Sequence, residues 1–84
     1  MKHTITNIEF FEKTQNVSRH VCVTFKDGRE VFIWPLATVG QKTYEQTGAE
    51  ASYLWDSLPI AKASTKWLHG SGYKPNVKRF INTK

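Results

Sequence analysis

Eighty-four residues carry 12 Lys and Arg against 7 Asp and Glu, a formal net charge of +5, and a chain of this length is one small domain that buries roughly 60 to 65% of the surface its unfolded form exposes. One thin hydrophobic core fits within that limit, and a deep, self-contained catalytic cleft does not. A hydrophobic content of 39% with five Phe, three Trp and three Tyr excludes a disordered basic tail, which would lack the apolar area needed to offset chain entropy.

No window approaches the run of about 18 apolar residues that a membrane span needs, and Met1 to Asn7 leads into alternating polar residues and not into an apolar signal core. The lone cysteine, Cys22, has no partner for an internal disulfide, whereas a secreted domain of this size is usually held by several. These features predict a cytoplasmic protein with no membrane partner. Asn16-Val17-Ser18 matches a glycosylation triplet, which carries no meaning without secretion.

Residues 1–36 are expected as strands. Thr4 to Lys13 is strand-like, with an alternation that slips between Ile8 and Phe11 and so suggests a bulge. Thr14-Gln15-Asn16 reads as a turn. From Val17 to Phe25 the alternation is clean: Val17, Val21, Val23 and Phe25 fall on one face, and Ser18, His20, Cys22 and Thr24 on the other. Lys26-Asp27-Gly28-Arg29 then predicts a hairpin. A two-residue loop would oppose Lys26 and Arg29, and a three-residue loop with Gly28 left-handed would avoid that like-charge pair. The third strand runs from Glu30 to Trp34, where Pro35 removes a ladder donor.

Residues 43–69 are expected as helical. Thr43-x-x-Gln46 and Thr47-x-x-Glu50 both fit a capping box, the second being the better start. Ala51, Leu54, Trp55 and Leu58 then recur at helical spacing until Pro59 marks an end or a kink. A second stretch places Ile60, Ala61, Ser64, Trp67 and Leu68 on one face and Lys62, Thr65, Lys66 and His69 on the other, with Gly70 as its stop. Residues 70–84 form a basic C-terminal extension, in which Pro75, Val77, Phe80 and Ile81 suggest a loop followed by a fourth strand or by a docked segment. The fold class is therefore α+β: a three- or four-stranded antiparallel sheet with an N-terminal meander and one or two helices on one face.

Charge is distributed unevenly. Residues 1–56 hold six bases against all seven acids, and residues 57–84 hold Lys62, Lys66, Lys74, Lys78, Arg79 and Lys84 with no acid at all. Trp67, Tyr73 and Phe80 interleave with these bases, and Gly70-Ser71-Gly72 brings backbone amides near them. Lys62, Lys66, Lys74, Lys78 and Arg79 are the expected phosphate contacts, with Trp67 or Tyr73 stacking on a base. The plainer alternative makes the lysines a solvated helix face and Trp67 a core residue.

No chemistry-bearing motif competes. His20 and Cys22 share a strand face at a separation too wide for direct thiol activation. His3, His20, Cys22 and His69 lack the paired spacing of a zinc site, and no nucleotide fingerprint is present. A non-enzymatic binding or regulatory protein, nucleic-acid-associated and without metal or cofactor, is the expectation. A protein-binding inhibitor or adaptor acting on a larger, nucleic-acid-processing complex through an acidic partner surface is the alternative. The aromatic excess also allows a homodimer, because neighbours such as Phe10 and Phe11, or Phe32 and Ile33, cannot both be covered by one helical layer.

Overall fold

The computed structural model describes residues 3–38, 41–48 and 53–81. Four strands, β1 (Ile5–Phe11), β2 (His20–Phe25), β3 (Glu30–Thr38) and β4 (Gln41–Thr47), form an antiparallel meander in the order β1-β2-β3-β4. One helix, α1 (Leu54–Leu68), packs on one face of it, and a short 3-10 turn (Val77–Arg79) follows.

The expected β2–β3 hairpin forms, with the longer loop. The Phe25 amide donates to the Arg29 carbonyl (2.9 Å) and the Gly28 amide to the Phe25 carbonyl (2.9 Å), leaving Lys26, Asp27 and Gly28 as the loop. Gly28 has φ +90°, the left-handed conformation that glycine adopts without penalty. The first-strand irregularity lies between Ile5 and Asn7, not between Ile8 and Phe11. The shift lets Ile5 and Ile8, three residues apart, both enter the core, after which Phe10 faces in and Phe11 faces out. β2 begins only at His20, and Val17 is exposed outside it.

Two strand assignments change as well. Pro35 does not end the third strand; it lies inside β3 opposite Tyr44. The β2 pairing stops at Ile33, so beyond that point β3 has one neighbouring strand, the setting in which a proline is tolerated. Residues 41–47 are a strand and not a helix start. Thr43 donates its hydroxyl to the Leu36 carbonyl (2.8 Å), and Thr47 accepts from Trp34 Nε1 (3.0 Å), so both candidate caps serve the β3–β4 ladder. Glu50, Ala51 and Lys84 lie outside the described residues.

Gly48, directly after β4, has φ +84°, and a Cβ there would meet Phe32 Cδ2 at 2.8 Å. Gly48→Ala should therefore cost about 1–2 kcal/mol through left-handed strain and ring displacement. Thermal unfolding should show this as a Tm loss of roughly 4–8 °C per kcal/mol.

The helix runs unbroken through Pro59, which is exposed. The amide it lacks would have bonded the Trp55 carbonyl, and Trp55 is itself 79% exposed, so the defect falls on the solvent side. Leu54 and Trp55 are accordingly not core. The buried stripe is Tyr53, Ser57, Ile60, Ala61, Ser64, Trp67 and Leu68, and from Ile60 onward it follows the expected face. Small residues at 57, 61 and 64 let the helix approach the layer of Val21, Val23, Phe25, Val31 and Ile33 closely. Gln46 of β4 donates to Ser57 Oγ, locking the helix to the sheet edge.

The start of the helix is tied to the hairpin. His3 stacks on Tyr53 at 3.9 Å, the His3 amide donates to Asp56 (2.5 Å), and the Tyr53 hydroxyl donates to the Asp27 carboxylate. That hydroxyl, together with the Arg29 amide (3.1 Å), holds the Asp27 carboxyl below its usual value of 3.8. A depressed folded-state value contributes stability that is present above the ordinary carboxylate pKa and is lost as pH falls through the lowered one. Asp27→Asn should thus lower Tm at pH 7 and flatten the decline in Tm below about pH 4. An unchanged acid limb would count against the contact.

Candidate nucleic-acid interface

The end of α1 shapes the site. Gly70 (φ +91°) closes the helix as the sequence predicts: its amide donates to the Trp67 carbonyl (2.9 Å) and the Ser71 amide to the Lys66 carbonyl (3.1 Å), a Schellman arrangement. The chain then turns back along the helix. Pro75 is buried, Asn76 accepts from the Lys78 amide (3.2 Å), and Val77, Phe80 and Ile81 pack against the core. The extension is thus a docked segment, and the fourth strand comes from residues 41–47 instead.

Between helix and returning segment lies an open groove of about 340 Å³. Lys62, Ala63 and Lys66 form one wall, and Tyr73, Pro75, Asn76, Arg79 and Phe80 form the other. Lys62 and Lys66 stand one turn apart, so both ammonium groups share a face. Tyr73 is 63% exposed and offers its ring to solvent. Among the described residues no carboxylate lines the groove, and Lys62, Lys66 and Arg79 make no ion pair.

The other expected site residues are placed differently. Lys78 is exposed but does not line the groove. Lys74 Nζ sits over the rings of Phe10 (5.6 Å) and Trp67 (5.7 Å). Trp67 is core: it is 1% exposed, packs edge-on against Phe10 at 4.8 Å and lies under the Arg19 guanidinium at 4.5 Å. It has no open face for a base.

Sequence reasoning missed a neighbouring depression of about 410 Å³ lined by Lys42, Thr65, Lys66, His69, Gly70 and Ser71. Lys66 belongs to both, so the basic track continues across α1 from Arg79 to Lys42. His69 is held there by its Nε2 at 2.7 Å from the Thr43 carbonyl. Lys42 lies just before the 43–69 stretch expected as helical, and its position beside the helix end follows only from the β3–β4 register.

The lone thiol is shielded from solvent. Cys22 is buried and hydrogen-bonds Glu30 (3.5 Å), and burial first, then Glu30, raises its pKa to about 11. His20 instead stacks between Phe11 (4.8 Å) and Trp34 (4.3 Å). Cys22 should resist iodoacetamide at pH 8 in the folded protein and react promptly in denaturant, as mass spectrometry would record. Among the described residues no three His, Cys, Asp or Glu side chains gather as a metal site, and no helix is long and apolar enough to cross a membrane. Comparison with protein-family models, with curated proteins and with solved structures finds no match to this chain.

Proposed function

We propose that this protein is a non-enzymatic nucleic-acid-binding or regulatory protein that takes a phosphodiester backbone into the groove between α1 and the returning C-terminal segment. The observation that carries this reading is convergence. Lys62 and Lys66 from the helix and Arg79 from the tail meet in one groove that no carboxylate lines among the described residues, beside an exposed Tyr73. Cations arranged this way exchange condensed counterions for phosphate contacts, and Tyr73 supplies a stacking surface that accepts any base. A lone cysteine, with no second one in the sequence to form an internal disulfide, fits a reducing cytoplasmic setting for this function.

Fluorescence anisotropy with labelled single-stranded and duplex oligonucleotides over a salt series tests the proposal. Three phosphate contacts predict a log–log salt slope of about −2 to −3. Undetectable or salt-independent binding would end this reading. An acidic protein surface is the other chemistry such a groove fits, and pull-down with and without nuclease distinguishes the two, because a protein partner survives nuclease treatment.

A further inference from the structure

The face of the sheet opposite α1 has a chemistry of its own. The strand registers place Glu9, Phe11, His20, Cys22, Glu30, Phe32, Trp34, Leu36 and Glu45 on that side, with threonines between them. Phe11, His20 and Trp34 stack as a three-ring ladder across β1, β2 and β3, and Leu36 is 40% exposed beside it. α1 and the docked tail occupy the inner face, so among the described residues the ladder has no second layer. Three of the outward strand residues are carboxylates and none is Lys or Arg, on a chain whose net charge is +5. Glu45 lies directly across from Trp34, and Glu9 lies across from Cys22 on the β1 edge.

We propose that this outer face docks a basic, extended segment of a partner protein, with arginine or lysine side chains laid against the Trp34 and Phe11 rings and paired with Glu45 and Glu9. Charge complementarity selects the occupant. A second copy related by a two-fold axis would bring this patch, with three carboxylates and no Lys or Arg among its strand residues, against an identical patch, because an isologous interface uses one surface twice. Phosphates would be repelled by the same carboxylates. A cation is attracted both by the ring faces and by the acids beside them. The inference stands apart from the groove, which lies on the other side of the sheet.

The test is a titration of the isotopically labelled full chain with a ten-residue peptide of alternating Arg and Ser, followed by NMR, with an alternating Glu and Ser peptide as control. The Arg peptide should shift the Trp34 indole and the β1–β3 outer-face signals. Trp34→Ala should weaken it about fivefold, and Glu9→Lys with Glu45→Lys, both exposed and thus harmless to folding, by at least as much. Lys62→Ala with Arg79→Ala should leave it unchanged. Absence of these shifts, equal binding of the Glu peptide, indifference to the double Glu→Lys change, outer-face shifts induced by an oligonucleotide, or a concentration-dependent dimer lost with Trp34→Ala would each overturn the proposal.

Discussion

Trp67→Ala should cost about 3–5 kcal/mol, a large share of the roughly 4–13 kcal/mol that a chain of 84 residues can be expected to hold. The ring is the meeting point of distant segments: Phe10 of β1 edge-on, Arg19 above it, and Lys74 of the tail at 5.7 Å. Arg19 also donates Nη1 to the Trp67 carbonyl (2.6 Å) and Nη2 to Glu12 (2.9 Å), fastening the loop before β2 to the helix end. Circular dichroism should therefore show a Tm loss above about 15 °C, and Trp67→Phe should recover much of it by keeping the edge-on contact. Wild-type Tm combined with lost oligonucleotide binding would reverse this assignment and return Trp67 to the role of a stacking residue.

Lys62→Ala, Lys66→Ala and Arg79→Ala together should weaken oligonucleotide binding by more than tenfold at 50 mM salt and take the salt slope close to zero, each cation accounting for about one unit of it. Tm should stay within a degree or two, since all three side chains are exposed and make no ion pair among the described residues. Lys26→Ala, on the distant hairpin, is the matched control and should change affinity less than twofold. A triple variant that binds as tightly as the control would remove the groove from consideration.

The fold was legible where local chemistry and packing agree. Asp27-Gly28 demands a turn, Val21, Val23 and Phe25 alternate onto one face, and Ile60 to Leu68 repeat at helical spacing, so hairpin, inner sheet face and helix face follow from the residues themselves. β4 was not legible, because its stability comes from the ladder with β3 and not from an apolar face of its own. Tyr44 is its one large hydrophobe, and Thr43 and Thr47 suit a cap as well as a strand. The same cause hid Lys42. Excess charge after Asp56 did identify the cations that line the groove, but spacing alone could not separate Lys74, which lies over aromatic rings, from Lys62 and Arg79, which face each other across open space. Trp67 met both roles offered to it until its burial decided between them.

One wall of the groove is a segment that reaches its place only after the helix has ended, held by Pro75, Val77, Phe80 and Ile81 and not by any ladder of backbone bonds. Segments with few such contacts open locally at lower free energy than the core, and a site that exists only while its wall is seated binds with an affinity reduced by the seated fraction. Linkage makes this reciprocal: any ligand bridging Lys62 and Arg79 must clamp the tail as strongly as tail docking favours the ligand. If the groove binds as proposed, the C-terminal segment is therefore both one of its walls and the part of the chain whose hydrogen exchange should slow most when the groove is filled.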